Sequence, residues 1–430
     1  MNILIIGMGY VGVTTGLVFA ELGWKVTGLD TDALKIQSLS EGKLSFYEPG
    51  LDILLSQHLQ SDNIRFTSDP IQAIREHSVI FLCVGTPSDI NGSADLQYVR
   101  NVAEHIGTNM NDYKLVAVKS TVPIDTNRKV RQWIREAQTS PHPFDVVSNP
   151  EFLREGSALY DSLHPDRIII GSNSKQAVDT LKTLYRSINA PVLVTKPKTA
   201  EMIKYASNAF LATKISYVNE LSRLCDKIGV NISDVTKGMG MDHRIGPHFL
   251  RAGIGYGGSC FPKDSKALLY TAKENDIQLS ILEKVTEVNN SQASYFLNVW
   301  EEKLGGFDHR TIAILGISFK PNTDDLREAP SLAIMQHLLE KQAILRVHDP
   351  IAKLPSYLQG EFVQQFDSLE DTLDGADAII LCSEWTDYIG ANWSQLRSVM
   401  GDYFIFDGRN KLDGKSLTDL GFYYYGIGNR

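Results

Sequence analysis

Four glycines stand ahead of one cysteine in GIGYGGSCFPKD, residues 253–264, and Lys263 and Asp264 follow it closely. The thiolate is the attacking form of cysteine, a nearby ammonium favours it, and glycines let backbone lie close to a bound molecule. Spacing alone leaves Cys260 open between a nucleophile and a small buried filler, because most unpaired cysteines are buried and inert. Cys83 and Cys382, inside the apolar runs VIFLCVG and ADAIILCSEW, read as filler.

Lys204 and Asn208 are four apart, so a helix projects both from one face, beside Ala200, Ile203, Ser207 and Leu211. That face is either solvated or partly buried, and a buried ammonium or amide needs an anionic or oxygen-rich partner. In SNPEFLREGSA, residues 148–158, Glu151 and Glu155 follow a strand end, where open parallel sheets bind ligands. A carboxylate there is a candidate general base; the same stretch also reads as a helix start capped by Ser148 or Asn149, with Pro150 in its first turn.

Gly7, Gly9 and Gly12 spell GxGxxG between the apolar run NILIIG and a helical stretch, VTTGLVFAELG, and Asp30 stands 23 residues after Gly7 at the end of KVTGLD. Such glycines permit a tight turn and close approach to a pyrophosphate at a helix N-terminus, and the acid accepts hydrogen bonds from a ribose diol. A carboxylate there repels a 2′-phosphate, which favours NAD over NADP.

The elements that position these residues fit the bulk properties of the chain. Its 430 residues predict two or three domains, and 43% hydrophobic and 22% charged residues describe an ordinary globular α/β protein. A net charge of −9 with no Lys/Arg cluster argues against nucleic acid or acidic membranes as partners. Four scattered cysteines, with no CxxC and no His at ligand spacing, signal neither a disulfide framework nor a metal site, and a reducing cytoplasm is expected. Residues 1–20 carry no charge, but no basic residue precedes Lys25 and glycines break the run, so a strand-turn-helix is expected rather than a signal peptide or anchor.

Apolar strands alternate with amphipathic helices through VIFLCVG, LVAVKST and DVVSNP, the pattern of a doubly wound parallel sheet covered on both faces. Thr199 to about Ile228 reads as one long helix with no Pro or Gly before Gly229, and helical segments run on to about residue 304. GGFDH at 305–309 reads as a boundary, after which the opening pattern returns: TIAILGISF is similar to NILIIGMGY, AILRVHDP to KVTGLDTD, and ADAIILCSEW to HSVIFLCVGT. Lys320, Pro321 and Asn322 stand where the glycine triplet would continue, so the second unit should take a different ligand. The expected fold class is α/β, with two Rossmann-like domains, 1–198 and 305–430, joined by a helical middle, 199–304, that carries the Cys260 loop.

GMGYVG, CVGTP (83–87), KSTVP (119–123), NPEFLREG, KYASNAFLATKIS (204–216), GYGGSCFPKD, GISFKPNTDD (316–325) and DGRN (407–410) together resemble the NAD-dependent nucleotide-sugar 6-dehydrogenases along nearly the whole chain. The resemblance implies a four-electron oxidation of a sugar C6 alcohol to a carboxylate with two NAD. Cys260 is then the nucleophile, Lys204 and Asn208 stabilise the oxyanion, Asp264 acts through a water, Glu151 is the base for thioester hydrolysis, and Thr121 positions water. For NAD the resemblance adds Val11, Lys35, Thr86, Thr121, Glu155, Lys263 and Arg327 to the glycine loop and Asp30.

For the nucleotide sugar it points to Phe152, Leu153, Arg154, Glu155, Lys204, Asn208, Phe249, Leu250, Arg251, Ala252, Gly253, Gly257, Lys320 and Arg409, with the second Rossmann-like unit holding the UDP end. It also implies a homodimer through the long helix, with Arg244 of GMGMDHRIG reaching a substrate in the partner subunit. The wording of GYGGSCFPKD and NPEFLREG favours UDP-glucose; UDP-N-acetylmannosamine and GDP-mannose are alternative donors. A non-catalytic nucleotide-sugar-binding relative is the rival reading, and the complete set of Cys260, Lys204, Asp264 and Glu151 argues against it.

Overall fold

The run NILII opens the chain as strand β1 (Asn2–Ile6), and its alternation sorts side chains to two faces. Ile3 and Ile5 join a core with Val13, Leu17 and Phe19 of the next helix, Tyr10–Glu21, while Leu4 and Ile6 join another core with Val99, Ile106 and Val130. Burial on both faces explains why the strand carries no polar alternation. The computed structural model describes residues 1–429 and divides into two compact units, residues 1–207 with 266–277 and residues 208–265 with 278–430.

In the first unit β1 is joined by β2 (Lys25–Leu29), β3 (Ile64–Thr67), β4 (Val79–Leu82), β5 (Lys114–Val118), β6 (Phe144–Ser148), β7 (Ile168–Gly171) and β8 (Val192–Thr195), in the order β3-β2-β1-β4-β5-β6-β7-β8. The sheet departs from the fully parallel one expected, because β6 and β7 meet antiparallel at Ser148 and Gly171. The chain between them holds a loop and a helix of only six residues, Ala158–Leu163, not the crossover helix that a parallel neighbour needs. Strand order reverses at β1, which pairs with both β2 and β4, so the loops after β1 and β4 flank a crevice at the strands' carboxyl ends.

The second unit repeats the plan with β9 (Thr311–Leu315), β10 (Ile344–His348), β11 (Val363–Gln365), β12 (Ala378–Leu381), β13 (Phe404–Asp407) and β14 (Tyr423–Gly426), all parallel and ordered β11-β10-β9-β12-β13-β14. The first turns make the same hydrogen bond, Gly7 N–H to Leu29 O and Gly316 N–H to His348 O, both at 2.8 Å. Beyond it they differ. A helix starts directly behind Gly9 in the first unit, whereas the second places a loop, residues 316–329, before its helix Pro330–Glu340.

The long helix spans Pro197–Ile228, 32 residues and so about 48 Å, and stops at Gly229, whose φ of +71° suits glycine. The boundary between the compact units falls inside it, after Ser207. The helix Ser280–Leu304 ends at Gly305 with φ +80°, at the boundary read from GGFDH.

Candidate active site

The glycines of GxGxxG differ in what requires them. Gly7 has φ +95°, and a Cβ there would come within 2.9 Å of the Cys83 and Val84 backbone; at Gly12 it would strike the Gly7 carbonyl. Around a Cβ on Gly9 nothing lies within 4 Å, and its backbone is extended. The fold does not need glycine there, and the open face lies at a helix N-terminus whose N–H groups suit a pyrophosphate. Half-buried Val11 lies in the first turn of that helix.

Asp30 follows β2 directly, beside this turn. It accepts hydrogen bonds from Met8 N–H at 2.8 Å, Asp32 N–H at 3.0 Å and the Lys35 ammonium at 3.0 Å. Burial pushes its carboxyl up, but these donors outweigh burial and hold it below the ordinary carboxylate range, so it stays an acceptor. Its counterpart in the second unit, Asp349, is buried and spent internally: it accepts from the N–H groups of Ile317, Ser318, Ile351 and Ala352 and from the Ser318 hydroxyl. The second unit therefore keeps the turn but not the diol-binding acid.

Across the first sheet, the site residues follow the carboxyl ends of successive neighbours β1, β4, β5 and β6. Thr86 lies beyond β4 and donates its hydroxyl to the carbonyl of Thr121, beyond β5, at 2.8 Å. Val118 pairs with Ser148, so Thr121 and Glu151 stand three residues past adjacent strand ends. Glu151 is buried, accepts Leu153 N–H at 2.8 Å and pairs at 2.8 Å with the ammonium of Lys204, also buried. Lys204 lies over the Phe152 ring at 5.4 Å, and Arg167, which the sequence reading did not single out, covers the same ring at 4.1 Å. No helix starts at Pro150: Asn149 is committed to Ile169 O and Tyr185, which leaves Glu151–Glu155 as a loop.

In the second unit Cys260 immediately precedes the helix Phe261–Lys273, and its carbonyl accepts the Asp264 N–H at 2.8 Å. A helix N-terminus favours a negative charge at that position. Asp264 is buried, accepting from the Asn208 amide at 2.6 Å and the Lys263 ammonium at 2.7 Å. The ammonium of Lys263 is drawn to Asp264, and the helix terminus supports a thiolate at Cys260. Cys83 and Cys382 lie one residue past β4 and β12, and burial pushes each thiol up to about 12, which leaves them inert at neutral pH.

The glycines of the cysteine loop have an internal reason. A Cβ on Gly257 would meet the Glu328 carbonyl, one on Gly258 would lie 2.7 Å from the Phe319 ring, and Gly258 N–H donates to Arg327 O. The loop lies backbone to backbone on residues 316–329. Gly253 faces Gly408 O and Arg409 in the same close manner, and of its neighbours Leu250 and Ala252 are buried, Phe249 is half-buried and Arg251 is exposed.

Lys320, Glu384 and Arg409 follow the ends of β9, β12 and β13, three neighbours in the second sheet. Arg409 pairs with Glu384 at 2.7 Å; burial pushes Glu384 up, but the guanidinium outweighs it and holds the carboxyl low. Glu384 escaped the sequence reading because a lone acid in CSEW has no spacing partner. Other predicted residues are exposed and paired locally: Arg154 with Asp161 at 2.6 Å, Arg244 with Asp242 at 2.6 Å and Arg327 with Asp325 at 2.7 Å. Leu153 and Glu155 are half-buried in the loop after β6.

Among the described residues no cluster of three His, Cys, Asp or Glu could hold a metal, and no helix is long and apolar enough to cross a membrane. Residues 1–189, 198–291 and 313–414 match the NAD binding, central and UDP binding domains of the UDP-glucose/GDP-mannose dehydrogenase family. UDP-glucose 6-dehydrogenase YwqF of Bacillus subtilis is 41% identical over 431 aligned positions, covering 100% of this chain and 98% of its own. A UDP-glucose dehydrogenase from Pyrobaculum islandicum shares the fold with TM-score 0.92 and 38% identity, covering 100% of this chain and 98% of its own. A UDP-D-ManNAc dehydrogenase from Pyrococcus horikoshii does so with TM-score 0.87 and 29% identity, covering 100% and 99%. With its glycine turn, its cysteine loop and three matched domains in order, this chain belongs to the UDP-glucose/GDP-mannose dehydrogenase family.

Proposed function

We propose that the chain oxidises UDP-glucose at C6 to UDP-glucuronate, using two NAD and one water, through a thioester on Cys260. The observation that carries this reading is Cys260 at a helix N-terminus, one turn from a buried Asp264 that Asn208 holds. NAD, when bound, accepts a hydride in each of the two oxidations. Gly9 and Val11 would receive its pyrophosphate and Asp30 its ribose, with Lys35, Thr86, Thr121, Glu155, Lys263 and Arg327 completing the site.

The side chains then divide the work. Lys204 and Asn208 stabilise negative charge on the C6 oxygen. The Cys260 thiolate adds to the C6 aldehyde, forming a C–S bond, and the thiohemiacetal becomes a thioester on its oxidation. Glu151, with Thr121 positioning the water, takes a proton from it; hydroxide adds to the thioester carbon, and the C–S bond breaks to return the thiolate and a carboxylate. Asp264 handles protons through a bound water. Lys320 and Arg409 would meet the charges of the UDP end, and Phe152–Glu155 and Phe249–Gly253 with Gly257 the sugar.

We further propose the three-part division 1–198, 199–304 and 305–430, a cytoplasmic enzyme, and a homodimer in which Arg244 serves the neighbouring subunit's substrate. Phe210, Tyr217 and Leu224, seven residues apart on the long helix, are 65%, 51% and 55% exposed, an apolar stripe that a second copy would cover. The donor is tested by supplying NAD with UDP-glucose, UDP-N-acetylmannosamine or GDP-mannose and following NADH absorbance. UDP-glucose should give the highest kcat/KM, and a higher value for either rival would overturn the assignment.

A further inference from the structure

We propose that Glu48 and Tyr10 are a positioning pair that ties the glycine turn to the loop Glu151–Gly156, so that filling the dinucleotide site tightens binding of the sugar. This inference rests on the functional reading above. Glu48 is only 3% exposed, and the donors it accepts from are neutral: the Tyr10 hydroxyl, Gly156 N–H at 2.6 Å and Ala158 N–H at 2.7 Å. Burying a carboxylate is costly unless such donors hold it in place, so these three contacts fix its position.

Tyr10 is the first residue of the helix behind Gly9, and its hydroxyl oxygen also accepts Gly156 N–H at 3.1 Å. Its ring packs 4.6 Å from that of Phe46, which belongs to the same segment as Glu48. Burial first, and then Glu48, raise the phenol well above its ordinary range, and the charge of Glu155 adds to this, so Tyr10 remains the donor.

Capping the short helix Ala158–Leu163 would need only the Ala158 contact. The bonds to Gly156 and Tyr10 do something else: they tie the end of the Glu151–Gly156 loop to the first turn of the dinucleotide-binding helix. The loop's other end is tied through Glu151 to Leu153 N–H and Lys204. Phe152–Glu155, which meet the sugar in the reading above, lie between the two anchors. A shift of the helix N-terminus on cofactor binding is therefore passed to this loop, and the coupling must be reciprocal.

Calorimetry with full-length protein tests this by titrating UDP-glucose with and without saturating NADH, a pair that cannot turn over. In wild type NADH should tighten UDP-glucose by about tenfold, and in Tyr10→Phe and Glu48→Gln by less than about twofold, with affinity for UDP-glucose alone little changed. Melting curves identify whichever variant is folded, and Glu48→Gln serves if Tyr10→Phe is not. A purely structural role would weaken binding equally with and without NADH, and that result, like undiminished coupling in a folded variant or no coupling in wild type, overturns the proposal. Failure of wild type to bind UDP-glucose at all overturns the functional reading itself.

Discussion

Glu151 and Lys204 show how a buried pair can serve both fold and chemistry. Removing one partner strands the other charge at a cost of about 3–5 kcal/mol, so Glu151→Gln, which keeps shape and an acceptor oxygen, is the informative change. It should lower kcat by roughly 10²–10⁴-fold. Mixing the variant with NAD and UDP-glucose should give NADH in a first turnover and then stall, with the sugar covalently held on Cys260 in the intact mass; steady turnover at the wild-type rate removes Glu151 from hydrolysis. At this scale Lys204, Asn208 and Cys260 were legible because residue type and spacing flagged them. Glu151 and Asp264 were flagged too, but not the pairings: Glu151 meets Lys204 across 53 residues and Asp264 meets Asn208 across 56, which no local pattern encodes.

The strand-turn-helix at the start of the chain makes a sharper distinction among its glycines than GxGxxG does. Gly9→Ala meets nothing within 4 Å, so its melting temperature should match wild type while affinity for NAD falls by about tenfold. Gly12→Ala drives a Cβ into the Gly7 carbonyl and should lower the melting temperature as well. Equal melting losses in the two, or full NAD affinity in Gly9→Ala, would contradict a pyrophosphate at that open face. The apolar strands β1, β4, β5 and β12 were legible because burial on both faces leaves unbroken apolar runs. β3, β8, β11 and β14 were not read: each lies at an edge of its sheet and is partly exposed, so it lacks that signature, and the interior strands β7 and β13 were not read either.

At the scale of the whole molecule, the repeat seen in the sequence is the repeat of the sheets, and the missing glycine triplet marks where the two halves part in function. What the sequence did not disclose is how the acid after β10 is used: Asp349 stays in place, but five internal hydrogen bonds occupy it. Stability should depend on pH through the histidine beside it. Burial lowers the imidazole of His348 below its ordinary 6.5 even though nearby acids oppose this, and its ring is hydrogen-bonded to Tyr388 at 3.0 Å. The unfolded chain then takes up the proton first as pH falls below about 6.5, so this contribution to stability is present above that pH and lost as acidity increases. Melting temperatures from pH 7.5 to 5 should fall more steeply in wild type than in His348→Gln, and parallel curves would refute the assignment.

The proposed four-electron oxidation on one cysteine fixes the stoichiometry of the reaction. NADH formed per UDP-glucose consumed, measured at completion with limiting sugar, should be two in wild type, with turnover down by at least ~10³-fold in Cys260→Ala. One NADH per sugar with release of a free aldehyde, or undiminished two-NADH turnover in Cys260→Ala, would contradict it.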